Sequence, residues 1–134
     1  MSYTFNTVLP ITFAEAIEKA TAALKQEGFG VLTDIDVQAT MKAKINQEML
    51  GYRILGACNP TLAFRAIQAE PRIGSMLPCN VVVRELSARE TEIAIIDPIA
   101  SMQAIHNETL GAVASEVQGK LQRVAEILRG GTGS

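Results

Sequence analysis

Cys58 and Cys79 are the residues of this chain whose type and setting most invite chemistry. Each is followed by asparagine, in the words Cys58-Asn59 and Cys79-Asn80, and each lies near a proline, Pro60 or Pro78. Proline and asparagine mark element boundaries, so both thiols are expected at element ends, where side chains border clefts. Asn59 is placed to cap a helix opened by Pro60. Cys58 stands just ahead of that helix start, where unsatisfied N–H groups and the helix dipole favour a thiolate. The competing reading is plain packing, because free cysteine is among the most buried residue types.

Strand direction decides whether the two thiols can act together. If the strands carrying them run antiparallel side by side, the end of one lies near the start of the other. If a parallel crossover separates them, the thiols stand about 20 Å apart, at about 3.3 Å per strand residue. Two adjacent thiols suit two-coordinate Cu(I) or a reversible dithiol, whereas tetrahedral zinc needs more ligands. Met76, Met102 and His106 are the soft or borderline donors in neighbouring loops.

Other chemistries find less support. His106 is the single histidine, and no serine stands in a G-x-S-x-G context. Gly28-Phe29-Gly30 falls short of a dinucleotide fingerprint. Asp34 and Asp36, two apart on one strand, share a face and could serve as an acid/base pair or grip a hard cation. Simple alternation also predicts them as the solvent side, and that reading is preferred.

The elements that must position these residues follow from periodicity. Residues 3–8 read as a strand. Thr12-Phe13-Ala14-Glu15 forms a capping-box pattern ahead of Phe13, Ile17, Ala20 and Leu24, a helix ended by Gly28. Residues 29–37 alternate as a strand, with Phe29, Val31, Ile35 and Val37 on one face and Asp34 and Asp36 on the other. Val37, Met41, Ile45 and Met49 then recur every fourth residue, predicting an amphipathic helix closed by Gly51. A strand at 52–58, a short helix from Pro60, a loop at 71–79 and a hairpin of strands 80–86 and 91–97 come next. Leu110, Ala114, Val117, Leu121, Val124 and Leu128 form one apolar seam about 30 Å long at 1.5 Å per residue. Gly111 and Gly119 inside that helix are expected where a neighbouring element packs closely. The order predicts an antiparallel or mixed sheet covered on one face by helices, mainly the first and last.

Composition narrows the classes. The chain has 134 residues, 48% hydrophobic and 19% charged, with 4% aromatics and no tryptophan. That suits a single domain spanning 1–129, followed by a flexible tail at 130–134. The net charge of −2 is spread over scattered residues, which argues against the concentrated basic face of a nucleic-acid binder. No run approaches the ~20 apolar residues of a membrane span, and the start Met1-Ser2-Tyr3-Thr4-Phe5 lacks the form of a signal peptide. Two cysteines without a secretion signal point to a reducing, cytoplasmic setting. The charge-poor surface favours burial against a second copy.

The words Tyr52-Arg53-Ile54-Leu55-Gly56-Ala57-Cys58-Asn59-Pro60, Glu70-Pro71-Arg72-Ile73-Gly74 and Leu77-Pro78-Cys79-Asn80-Val81-Val82-Val83 resemble a bacterial and archaeal family called domain of unknown function 302. Residues 28–37 and Asp97-Pro98 fit it too, so the resemblance spans 3 to 128. Arg53 stands where the family often has lysine, and Ser75-Met76 where it prefers aliphatics. The resemblance implies an α+β fold of the order β-α-β(4)-α. Its curved, mostly antiparallel sheet is similar to that of the TATA-box-binding protein, with extra short helices and a homodimeric state. It implies no reaction, substrate or cofactor.

Three functions follow as expectations. The first is a non-enzymatic binding protein in which Cys58 and Cys79 hold a thiophilic metal such as Cu(I) or act as a redox-sensing pair, with Asn59 and Asn80 shaping the backbone. The second is a small-molecule enzyme or carrier with a cleft between the sheet and the last helix, polar at Asp34, Asp36 or Arg53. The third is a structural dimeric module.

Overall fold

The computed structural model describes residues 2–130, and the tail predicted at 130–134 lies, beyond Gly130, outside them. The elements run β1 (Thr4–Leu9), α1 (Phe13–Gln26), β2 (Gly30–Asp36), α2 (Val37–Ile45), β3 (Tyr52–Cys58), α3 (Pro60–Ala69), β4 (Cys79–Ser87), β5 (Glu90–Ile96), α4 (Pro98–Ser101) and α5 (Glu108–Leu128). A 3₁₀ turn at Ile73–Met76 lies between α3 and β4.

The strands form one five-stranded sheet in the order β1-β5-β4-β3-β2, and every neighbouring pair is antiparallel. This is the α+β architecture of the order β-α-β(4)-α. The helical segments α2 and α3 are excursions between strands that remain neighbours, so no parallel crossover arises.

Local signals position the helices. Thr12 Oγ1 accepts from the Glu15 amide at 3.2 Å while Glu15 Oε1 accepts from the Thr12 amide at 3.0 Å, closing the capping box. Ala16, Ala20, Ala23 and Leu24 then form the buried face of α1, and the small alanines let it sit close to the sheet. Gly28 leaves the helix at φ +85°, a conformation that costs little without a Cβ. Asn107 caps α5 by accepting from the Leu110 amide at 3.0 Å.

Two apolar cores result. In the first, Leu55, Val81, Val83, Ile93 and Ile95 of the sheet pack under α1 and under Leu121, Val124, Ala125 and Leu128 of α5. The second joins Leu62 and Ala66 of α3 and Ile73 to Met102 and to Leu110, Val113 and Ala114 of α5. The last helix therefore covers the sheet with one half and α3 with the other, as a continuous seam allows.

Four expectations are corrected. In β2, Val31 pairs with Ala57 and Thr33 with Gly56, so Leu32 is an extra bulged residue and the alternation inverts there. Thr33 and Ile35 thus leave the phase of Val31, and Ile35 is 49% exposed. Second, the helix after β2 stops at Ile45, four residues before Met49, because Asn46 turns left-handed at φ 54°. None of its residues is buried. Third, α4, an element that the periodicity did not predict, follows β5, with Asp97 accepting from the Ile99 amide at 3.0 Å. Fourth, no atom lies within 4 Å of a Cβ built on Gly111, and only the Arg123 guanidinium approaches that on Gly119. No close-packed neighbour explains either glycine.

No helix among the described residues is long and apolar enough to cross a membrane.

Candidate functional site

Antiparallel pairing of β3 and β4 brings the two cysteines to the same end of the sheet. Cys58 is the last residue of β3 and Cys79 the first of β4, and Cys79 lies directly opposite Ala57. Cys79 shares the core-facing phase of Val81 and Val83 and is 8% exposed. Cys58, one position along from Ala57, has the opposite phase at the point where the chain turns into α3. Both are free thiols.

A cavity of about 280 Å³ wraps this end of the sheet and touches both cysteines. Its floor is Phe29, Ala57 and Cys79, and its walls are Leu62 and Ala66 of α3 and Val113 and Ala114 of α5. Met102 and Leu77 also border it. It opens beside Leu32 and Ile67, which are 67% and 44% exposed. This is the cleft between the sheet and the last helix, with α3 as a third wall that strand order alone does not reveal.

The chemistry of the cavity is apolar. Besides backbone, its polar groups are the two thiols and the Asn59 side chain. Asn59 is committed to the helix, accepting from the Leu62 amide at 3.3 Å. Its amide group also packs against Gly28, where a Cβ would come within 2.9 Å of Nδ2. Asn59 thereby ties the start of α3 to the turn before β2.

The thiols are not thiolate-prone. Burial pushes Cys79 up to about 11, and its nearness to Cys58 adds to the rise. Burial also raises Cys58. Burial thus shifts Cys58 in the direction opposite to the one expected from the helix start at Asn59.

The remaining candidates separate from the cysteines. Asn80 is exposed and pairs with Gly56, off the cavity. Met76 is exposed and His106 is exposed, and neither lines the cavity; of the soft donors named, Met102 does. Asp34 and Asp36 flank Arg53 across the β2–β3 ladder, with Arg53 Nη1 3.0 Å from Asp34 and Nε 3.6 Å from Asp36. The bulge at Leu32 puts them on the inner phase at the open edge, so they form an ion-pair cluster and leave the cleft without the polar lining expected of it. Among the described residues no group of three or more His, Cys, Asp or Glu could hold a metal.

Sequence reasoning missed the apolar walls. Leu62, Ala63, Ala66 and Ile67 were legible as residues of one helix, and Leu110, Ala114 and Val117 as part of the seam of another, which Val113 joins only in the structure. That the two faces stop short of each other was not.

The model of the family "Domain of unknown function DUF302" matches residues 5–128. The crystal structure of the "uncharacterized conserved protein DUF302 from Bacillus stearothermophilus" superposes with a TM-score of 0.85 at 26% identity, covering 94% of this chain and 98% of that one. No curated protein matches the chain. Neither finding carries a named function, and the match over nearly the whole described fold leads to one assignment: the chain belongs to the DUF302 family, a domain of unknown function.

Proposed function

We propose that the protein binds a small, largely apolar molecule in the cavity between α3, α5 and the ends of β3 and β4. The observation that carries this is the cavity itself, about 280 Å³ walled by aliphatic side chains and open beside Leu32 and Ile67. Protein interiors close such gaps unless something fills them, and ligand pockets are typically apolar with a few placed polar groups. Here those groups are the Cys58 and Cys79 thiols and the Asn59 amide. Protonated thiols are weak donors that suit an apolar or softly polarisable guest better than a charged one.

Titration with the apolar fluorophore N-phenyl-1-naphthylamine tests the reading. Saturable one-to-one enhancement, lost in Ala114→Phe while the fold survives by circular dichroism, is expected. An unsaturable signal, or one that Ala114→Phe leaves intact, would sink it.

A second reading rests on Met102 joining the two cysteines at the same cavity. Two thiols and a thioether match the preference of Cu(I) for soft ligands. Binding would release both thiol protons, so affinity for Cu(I) would climb with pH. Titration of Cu(I) into the protein and into Cys58→Ser and Cys79→Ser, in competition with a Cu(I) chelator, separates the readings: equal, negligible uptake by all three eliminates the metal.

A further inference from the structure

A second cavity, also of about 280 Å³, lies between the α4 region and α5. Met102, Leu110 and Ala114 line both it and the cysteine cavity, so one layer of side chains separates the two. That partition is thin. Ala114 contributes a single methyl group, and Leu110 stands one helical turn before it on α5. Met102, at the C-terminal end of α4, is unbranched with three rotatable bonds, and so well suited to move aside within a core.

The two cavities differ in chemistry. The first is aliphatic apart from the two thiols and Asn59, whereas Gln103 and Ser115 line the second. An amide and a hydroxyl each offer both a donor and an acceptor. Among the described residues no charged side chain lines either cavity. Gly111 also borders the second cavity, and nothing lies within 4 Å of a Cβ built on it. Glycine is unfavourable inside a helix; here its missing side chain keeps the second cavity wide, a role that packing does not supply.

We infer that the guest is a long-chain amphiphile with an uncharged head, which occupies both cavities at once. Its alkyl tail fills the cysteine cavity, passes the Met102 side chain and leaves the head beside Gln103 and Ser115. This rests on the cavity reading proposed above and extends it to a second compartment. A compact apolar molecule would use one cavity alone. A linear alkyl chain is narrow enough to thread a partition that rotation of one methionine opens. The head is uncharged because a carboxylate or ammonium placed there would lose water and meet no counter-charge.

Displacement of bound N-phenyl-1-naphthylamine by a series of linear alcohols, from 1-hexanol to 1-tetradecanol, tests the inference in the parent, Gly111→Leu and Ser115→Leu. Each added methylene should tighten binding about fourfold until the chain outruns the space. That limit should come several carbons earlier in both variants, whose new side chains fill the second cavity alone. Their fluorophore titration and circular dichroism should stay those of the parent. Dodecanoate should bind the parent about tenfold more weakly than 1-dodecanol, or worse. A single chain-length limit shared by all three proteins overturns the inference, and so does dodecanoate binding as tightly as 1-dodecanol. With the fluorophore still bound by the parent, either result leaves the cavity reading standing. A parent without saturable fluorophore binding defeats that reading and this inference with it.

Discussion

Cys79 lies directly across the β3–β4 ladder from Ala57, the residue before Cys58, so the two thiols are diagonal neighbours where β3 ends and β4 begins. Everything distinctive about the candidate site follows from that offset. Both thiols border one apolar cavity, and both are buried enough to hold their protons.

Thiol reactivity should therefore rise late with pH. Cys58 has the more open setting and should be alkylated first by iodoacetamide. Cys79, pushed to about 11, should stay protected at neutral pH. Mass spectrometry of peptides after timed alkylation across pH 7 to about 11 checks the order. Fast labelling of Cys79 at neutral pH would contradict the burial account.

The same shift has a stability consequence. The folded-state pKa of Cys79 is raised above the ordinary thiol value of 9.0, so folding favours the protonated form. That contribution is complete below about 9 and is lost as pH climbs towards about 11. The full difference is of order 3 kcal/mol. Urea unfolding should show a steeper loss of stability over this window in the parent than in Cys79→Ala. Parallel profiles for the two proteins would refute it.

Gly56 should tolerate no side chain. A Cβ there would meet Thr33 Oγ1 and come within 2.6 Å of the Pro78 ring, on the outer face beside the bulge. Gly56→Ala should destabilise by about 1–3 kcal/mol, the usual effect of overpacking. Shortening the opposing side chain in Gly56→Ala, Thr33→Ala should recover part of it. Chemical denaturation midpoints give the answer, and a loss under about 0.5 kcal/mol for the single variant would be evidence against the steric account.

Gly111 should behave in the opposite way. It sits inside α5 at a helical position with open space around its would-be Cβ. Gly111→Ala should raise stability by about 1 kcal/mol, from helix propensity alone. That corresponds to a few degrees in Tm for a domain of this size. A lowered Tm would mean that something unseen requires the glycine.

Filling the cavity should separate structure from binding. Ala114→Leu adds apolar volume against Leu62 and Val113, and should leave stability unchanged or raise it by up to about 2 kcal/mol. Probe binding should fall in the same protein. A strongly destabilised Ala114→Leu would show that the space is already committed.

Much of the fold was legible because its signals are local. Thr12 and Glu15 satisfy each other's backbone, Asn59 and Asn107 cap the helices they precede, and the 4, 3, 4, 3, 4 spacing from Leu110 to Leu128 draws the last helix. Such features need only neighbours in sequence. The failures are where a residue's fate depends on a distant partner. Alternation placed Ile35 with Val31, and the pairing with β3 inverted it. The helix start at Asn59 argued for a thiolate at Cys58, whereas burial in the folded chain raises that thiol.

The sequence by itself determined where α1, α3 and α5 begin and which of their faces are apolar, because capping, proline geometry and periodicity act over a few residues. It also determined that Cys58 and Cys79 would stand at element ends. Only the tertiary structure decided that β3 and β4 lie side by side and antiparallel, and so that the two thiols meet at one cavity while Asp34, Asp36 and Arg53 pair off elsewhere. That choice rests on the order of strands in the sheet, and on packing of α3 against α5 across chain separations that no local signal spans.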